Sequence, residues 1–248
     1  MKYLSLILIL FVLCHTTSAQ QFELGPVEKV HSRVLNETRT LNIYLPDGYS
    51  PDSSYPVIYL LDGSAGEDFV HISGIVQFLS MIGKMPASIV VGIANVDRKR
   101  DFTFPTTIEK DQKDFPTTGG SAKFITFLEK ELQPFIEKRF KTKPLKTIIG
   151  QSLGGLLATE VLLKKPALFS NYIIVSPSLW WDNESLLLQA KKTGKEKVFI
   201  LVGTEGKQME EDAKKLAEQL GAVFMPLPEE DHLTILHNAV YRALKAAS

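Results

Sequence analysis

Residues 150–154 read Gly-Gln-Ser-Leu-Gly, a G-x-S-x-G run centred on Ser152. A serine hydroxyl attacks a carbonyl only when a base takes its proton, so this serine implies a histidine, and behind it a carboxylate. The surroundings suit a nucleophile elbow. A buried apolar run (Thr147, Ile148, Ile149) leads in, and a helical pattern (Leu156, Leu157, Val161, Leu162) leads out. Gly150 and Gly154 omit the β-carbons for which a strained turn has no room, and Gly155 lets helix and strand pack closely. The helix that starts after Ser152 also brings backbone N–H groups and a partial positive charge towards a developing anion.

The partners are sought among the remaining residues. His232 lies in Pro228-Glu229-Glu230-Asp231-His232, a polar loop between the last expected strand and the last expected helix. That address fits the chain order serine, acid, histidine. His31 falls in the first strand, His237 inside the last amphipathic helix, and His71 in a helical stretch near the site without the base's address. Two carboxylates contend for the acid. Glu205, in Val202-Gly203-Thr204-Glu205-Gly206, follows one buried strand and Asp182 follows the strand before it; Glu210, Glu211 and Asp231 are further options. An oxyanion needs backbone donors, expected from the N–H of Leu153 and the N–H of Ser64 in Asp62-Gly63-Ser64.

These groups need a scaffold. Residues 28–35 and 40–45, joined through Asn36-Glu37-Thr38, read as an antiparallel pair. Residues 55–61, 88–94, 145–149, 172–175 and 197–202 are continuous apolar runs, as strands buried on both faces must be, and 222–227 reads as a last strand. Helical periodicity at 124–136, 153–163, 212–220 and 233–246 alternates with them. The expected class is α/β, with a mostly parallel central sheet and helices on both faces. Residues 97–120 are too long and polar for a simple connection and are expected over the active end of the sheet. Arg98 and Arg100 in that segment, and Trp180 and Trp181 after a strand end, are candidate substrate-binding residues for an anionic group and a flat ring.

Composition excludes other classes. The 248 residues carry 28 Lys plus Arg against 28 Asp plus Glu, so no bulk field draws nucleic acid. Lys2, an apolar run from Tyr3 to Cys14 and small residues at Thr17 and Ala19 describe a secretory signal peptide over 1–19, leaving one domain over 20–248 and an exported, periplasmic or secreted protein. The apolar run is too short to span a bilayer, so no stable membrane insertion is expected after cleavage. Cys14 is the only cysteine, so the mature chain has neither disulfide nor thiol chemistry. No metal or organic cofactor is called for.

Tyr59-Leu60-Leu61-Asp62-Gly63, Asp97-Arg98-Lys99-Arg100-Asp101, the Ser152 elbow, Ser176-Pro177-Ser178-Leu179-Trp180-Trp181-Asp182 and Glu230-Asp231-His232 together resemble the Putative esterase family of α/β-hydrolases. That family includes esterase D, enterochelin (siderophore) esterases, feruloyl and acetyl-xylan esterases and mycolyltransferases. The likeness runs from about Glu28 to the C-terminus, and the Ser-Pro-Ser-Leu-Trp-Trp run points to the siderophore-esterase-like branch. The resemblance implies the α/β-hydrolase fold and a serine carboxylic-ester hydrolase working through an acyl-enzyme. It assigns Ser152, His232 and Glu205 as the triad and the N–H groups of Ser64 and Leu153 as oxyanion donors. Leu233-Thr234 depart from it, since relatives often carry a small residue after the histidine. The implied substrate is a small-molecule or glycan-linked ester, siderophore-type or hydroxycinnamoyl or acetyl. The alternatives are an acyltransferase on the same residues and a non-catalytic protein that kept the fold.

Overall fold

Apolar runs without a polar alternation need partners above and below, and the fold supplies both. The computed structural model describes residues 23–192 and 194–247, so the expected signal peptide and Cys14 lie outside the described residues. In chain order the elements are β1 (Val27–Ser32), β2 (Glu37–Tyr44), β3 (Tyr55–Leu60), α1 (Phe69–Met81), β4 (Ile89–Ile93), α2 (Arg98–Phe102) and α3 (Glu109–Asp114). Then come α4 (Ser121–Phe127), a π-helical turn (Leu128–Leu132), α5 (Gln133–Arg139), β5 (Thr142–Gln151), α6 (Leu153–Lys164) and β6 (Asn171–Val175). The chain closes with α7 (Ser185–Gln189), β7 (Lys197–Val202), α8 (Lys207–Leu220), β8 (Val223–Pro226) and α9 (Ile235–Ala247).

One eight-stranded sheet runs β1-β2-β4-β3-β5-β6-β7-β8. The β1–β2 and β2–β4 pairs are antiparallel, and every later pair is parallel. The β1–β2 turn ends at Asn36 with φ 55°, a left-handed conformation that asparagine tolerates. Successive side chains of β3 feed opposite faces. Tyr59 joins the apolar cluster that includes residues of α4, α6 and α8, and Ile58 and Leu60 join the cluster of α1 and α9. Helices α1 and α9 pack against each other on that second face.

Strand β3 leads to β4 on one side, and its other neighbour, β5, leads to β6 on the opposite side. That reversal opens a crevice at the carboxyl ends of β3 and β5, where ligands of open α/β sheets bind. The turn after β3 is Asp62-Gly63-Ser64, and the turn after β5 carries Ser152, so topology alone places the two on either side of one crevice.

The segment 97–120 holds α2 and α3 rather than an irregular loop throughout. Buried Arg39 of β2 pairs with Glu37 and with Asp101 at the end of α2, and Arg100 bonds Glu37 at 2.7 Å and Asp101 at 2.8 Å. Two guanidinium groups and two carboxylates thus tie α2 to the edge hairpin. Charges so deeply buried persist only when paired in this way.

Candidate active site

Ser152 sits between the last residue of β5 and the first of α6, with φ 58° and ψ −119°. Backbone bonds hold that strained residue. Its N–H donates to the Val175 carbonyl at 3.0 Å, and its carbonyl accepts from Leu156 at 2.9 Å and Ser178 at 3.1 Å. A β-carbon on Gly150 would stand 2.3 Å from the Gly154 oxygen, so only glycine allows the strand to turn this sharply into the helix.

His232 lies between β8 and α9. Its carbonyl accepts from Gln151 Nε2 at 2.5 Å, which ties the histidine loop to the residue before the elbow. Its Nδ1 is hydrogen-bonded to Glu205 Oε2, and Glu205 Oε1 accepts from the Ser176 hydroxyl and from the Gly203 N–H at 3.1 Å. Burial pushes the Glu205 carboxyl up, but donors from His232, Ser176 and Gly203 outweigh it and hold the group below its ordinary value. Asp182 is occupied elsewhere, accepting from Thr106 Oγ1 at 2.8 Å and Ser185 Oγ at 2.7 Å. Of the two contending carboxylates, Glu205 is the one bonded to the histidine.

Ser152 and His232 line the same cleft. One part, about 370 Å³, is walled by Trp180, Met209 and Leu233; the other, about 410 Å³, by Asp62, Glu67, Asp68 and Arg98. In this resting arrangement the Ser152 hydroxyl bonds Ser178 Oγ at 3.3 Å, with no direct hydrogen bond to the imidazole. Catalytic hydrogen bonds are often long or open until substrate binds. A larger cavity, about 510 Å³, lies between residues 23–26 and 44–48, away from these groups.

The turn after β3 is clamped from every side. Asp62, with φ 54°, receives a two-pronged ion pair from Arg98 at 2.7 and 2.9 Å and a bond from Asn95 at 2.6 Å. Gly63 donates to the Ile93 carbonyl at 3.0 Å and accepts from buried Asn42 at 2.8 Å. The N–H groups of Ser64 and Leu153 have no acceptor among the described residues.

Three expectations need correction or relocation. Trp181 is wholly buried, donates from Nε1 to the Phe104 carbonyl at 3.0 Å and packs edge-on against Phe104 and Phe115, so it is core and does not meet substrate. Arg100 is held by Glu37 and Asp101 and lines neither part of the cleft. Arg98 does line the cleft, but its charge is engaged by Asp62. His71 bonds Asp68 at 3.3 Å, faces His237 at 3.4 Å and lines neither part of the cleft. Sequence reasoning did not single out Ser176, Ser178, Asn42, Asn95 or Met209. Only Ser176 and Ser178 left a signal, inside the Ser-Pro-Ser-Leu-Trp-Trp run. Among the described residues no helix is long and apolar enough to cross a membrane, and no group of three or more His, Cys, Asp or Glu residues is placed to hold a metal ion.

Comparison with known proteins adds independent ground. Residues 32–224 match the family described as Putative esterase. The ferri-bacillibactin esterase BesA of Bacillus subtilis is 34% identical, over 86% of each chain. Among solved structures, the BES protein of Bacillus cereus superposes with a TM-score of 0.80 at 30% identity, covering 93% of this chain and 97% of that one. An IroE-like serine hydrolase from Shewanella oneidensis gives 0.77 at 31% identity, over 89% and 79%. Sheet order, switch-point crevice and these likenesses define a carboxylic-ester hydrolase of the α/β-hydrolase fold. Within that class, the chain belongs to the Putative esterase family.

Proposed function

We propose that this chain hydrolyses esters through a covalent acyl-serine, with Ser152 as nucleophile, His232 as general base and Glu205 as the orienting acid. The observation that carries this reading is the His232–Glu205 pair opening onto the cleft that holds a strained, elbow-borne serine. Ser152 and His232 line one cleft, and a turn of the Ser152 O–H bond, with the oxygen kept beside Ser178, directs its proton towards His232 Nε2. Glu205 keeps the other imidazole proton on Nδ1, so Nε2 presents a lone pair. Ser152 Oγ attacks the ester carbonyl carbon as its proton passes to Nε2, and the N–H groups of Ser64 and Leu153 receive the oxyanion. The tetrahedral intermediate expels the alcohol, which takes the proton from His232. Water then enters, gives a proton to His232 and attacks the acyl carbon, and the proton returns to Ser152 as the acid leaves.

The substrate class proposed is a siderophore-type ester. Its support is the likeness to the ferri-bacillibactin esterase BesA together with the apolar wall of Trp180, Met209 and the exposed Leu233. Residues 2–19 support export and removal of a leader, leaving one domain from 20 to 248.

The test is a panel of siderophore trilactone, feruloyl, acetyl and short p-nitrophenyl esters, run on the wild type and on Ser152→Ala. Loss of the nucleophile is expected to lower kcat by about 10⁴–10⁶-fold. Equal rates in the two proteins would end the serine mechanism, and preference for feruloyl or acetyl esters over the trilactone would end the substrate assignment.

A further inference from the structure

The residues just after β6 touch both ends of the Ser–His–Glu array. Ser176, buried and at φ 44°, has its N–H on the Leu201 carbonyl at 2.8 Å and its hydroxyl on Glu205. Two residues later Ser178, 2% exposed, has its N–H on the Ser152 carbonyl at 3.1 Å and its hydroxyl 3.3 Å from the Ser152 hydroxyl. Pro177 between them is seated against α6, where a β-carbon on Gly155 would stand 3.0 Å from Pro177 Cα. Backbone bonds and packing thus fix the Ser178 hydroxyl beside the nucleophile.

Counting protons gives the contact a direction. Ser152 Oγ has one proton and two lone pairs, and the proton is the one His232 takes. Once that proton has passed to His232, only Ser178 can donate across the contact, and among the described residues its hydroxyl has no other hydrogen-bond partner to compete. We propose that Ser178 is a further catalytic residue, whose O–H donates to Ser152 Oγ and stabilises negative charge there. This rests on reading Ser152 as the nucleophile.

In the resting chain the bond is long for two hydroxyls, whose usual separation is about 2.7–2.8 Å. As the proton leaves Ser152 its oxygen gains charge, and a hydroxyl already beside it donates more strongly than in the ground state. During deacylation the same oxygen becomes the leaving group, and Ser178 serves it again. Ser178 forms no covalent bond and keeps its own proton throughout, so atoms and charge balance as in the ester hydrolysis above.

The experiment compares Ser178→Ala, Ser178→Thr and Ser152→Ala with wild type. Readouts are p-nitrophenyl butyrate kinetics, labelling rate with a fluorophosphonate and melting temperature. For Ser178→Ala, kcat is expected to fall by about 10–100-fold, below the cost of losing an oxyanion-hole donor, with KM within about twofold. Labelling should slow in parallel, the adduct should map to the peptide carrying Ser152, and Ser178→Thr should recover most of the rate. A Ser178→Ala kcat equal to or above wild type would overturn the proposal, the latter meaning that the contact only holds the resting hydroxyl away from His232. An adduct on Ser178, or a folded threonine variant as slow as alanine, would overturn it too. If alanine folds poorly, Ser178→Cys keeps the volume with a weaker donor, and wild-type kcat in that variant refutes the role. An active Ser152→Ala sinks the nucleophile reading itself; an inactive one beside an unaffected Ser178→Ala sinks only the inference.

Discussion

Gly63→Ala tests whether the turn after β3 is held in a productive position. The added β-carbon would lie 2.3 Å from Gly92 Cα, 2.4 Å from Ile93 N and 2.5 Å from Gly92 C, all backbone atoms of β4 that cannot rotate aside. Ordinary contact needs about 3.5–4.0 Å, so the turn must retreat by about 1 Å or more. That motion pulls against the Gly63–Ile93 and Asn42–Gly63 bonds and carries the Ser64 N–H with it. A misplacement of about 1 Å costs about 10²-fold, and loss of one oxyanion donor costs about 10²–10³-fold. The expected result is a kcat about 10²-fold below wild type with KM little changed, because the donor acts on charge that exists only in the transition state. Overpacking of this kind destabilises by about 1–3 kcal/mol, so the variant should still fold with a lowered melting temperature. Rates are measured on p-nitrophenyl esters and normalised to the native fraction. Gly66→Ala is the control, since its β-carbon meets nothing within 4 Å in the same connection. A Gly63→Ala enzyme within threefold of wild type, or a Gly66→Ala enzyme equally impaired, would refute the reasoning.

Three further outcomes are expected. Glu205→Gln should lower kcat by about 10³–10⁴-fold, since an amide stabilises the wrong imidazole tautomer, whereas Asp182→Asn should act on melting temperature and leave kcat within a few fold; the reverse ranking would move the acid to Asp182. Trp181→Ala should cost about 3–5 kcal/mol in urea unfolding, while Trp180→Ala, which removes a partly buried ring, should raise KM and cost less stability, and equal stability losses would contradict their placement. Because the folded Glu205 carboxyl sits below its ordinary value, the stability it adds is complete above the ordinary carboxylate range and is lost as pH falls through the folded value. Glu205→Gln should therefore lose less stability than wild type between pH 7 and pH 3 in urea titrations, and parallel losses would show that the carboxylate adds none.

Much of the architecture is legible because strands buried on both faces leave a one-dimensional trace. Residues 57–60, 89–93 and 172–175 are runs without a polar side chain, and each lies in a central strand. The elbow was legible for the same reason that it is strained: a turn with no room for β-carbons writes glycines around Ser152. Addresses after strands brought His232 and Glu205 into view, and the structure brings both to the cleft. What a residue type does not reveal is whether its charge is already spent. Arg98 and Arg100 look alike on paper, but one grips Asp62 at the cleft and the other serves a buried cluster at the sheet edge. Adjacent tryptophans likewise part company, because a turn at Ser178–Trp181 sends one ring inward and leaves the other at the cleft. Ser176 and Ser178 carry no role that the sequence assigns, since side-chain hydrogen bonds across 29 and 26 positions of chain leave no local pattern.

The pairing of α1 with α9 has a mechanical consequence. One helix begins just past the Asp62–Ser64 turn and the other just past His232, so the two loops that flank a bound ester hang from the ends of a single interhelical seam. A change of packing along that seam would alter the spacing between the Asp62–Ser64 turn and His232 without touching either. The buried residues Ile72, Ile75, Ile235 and Ala239 share one apolar cluster, so substitutions there would act on both loops together and from a distance.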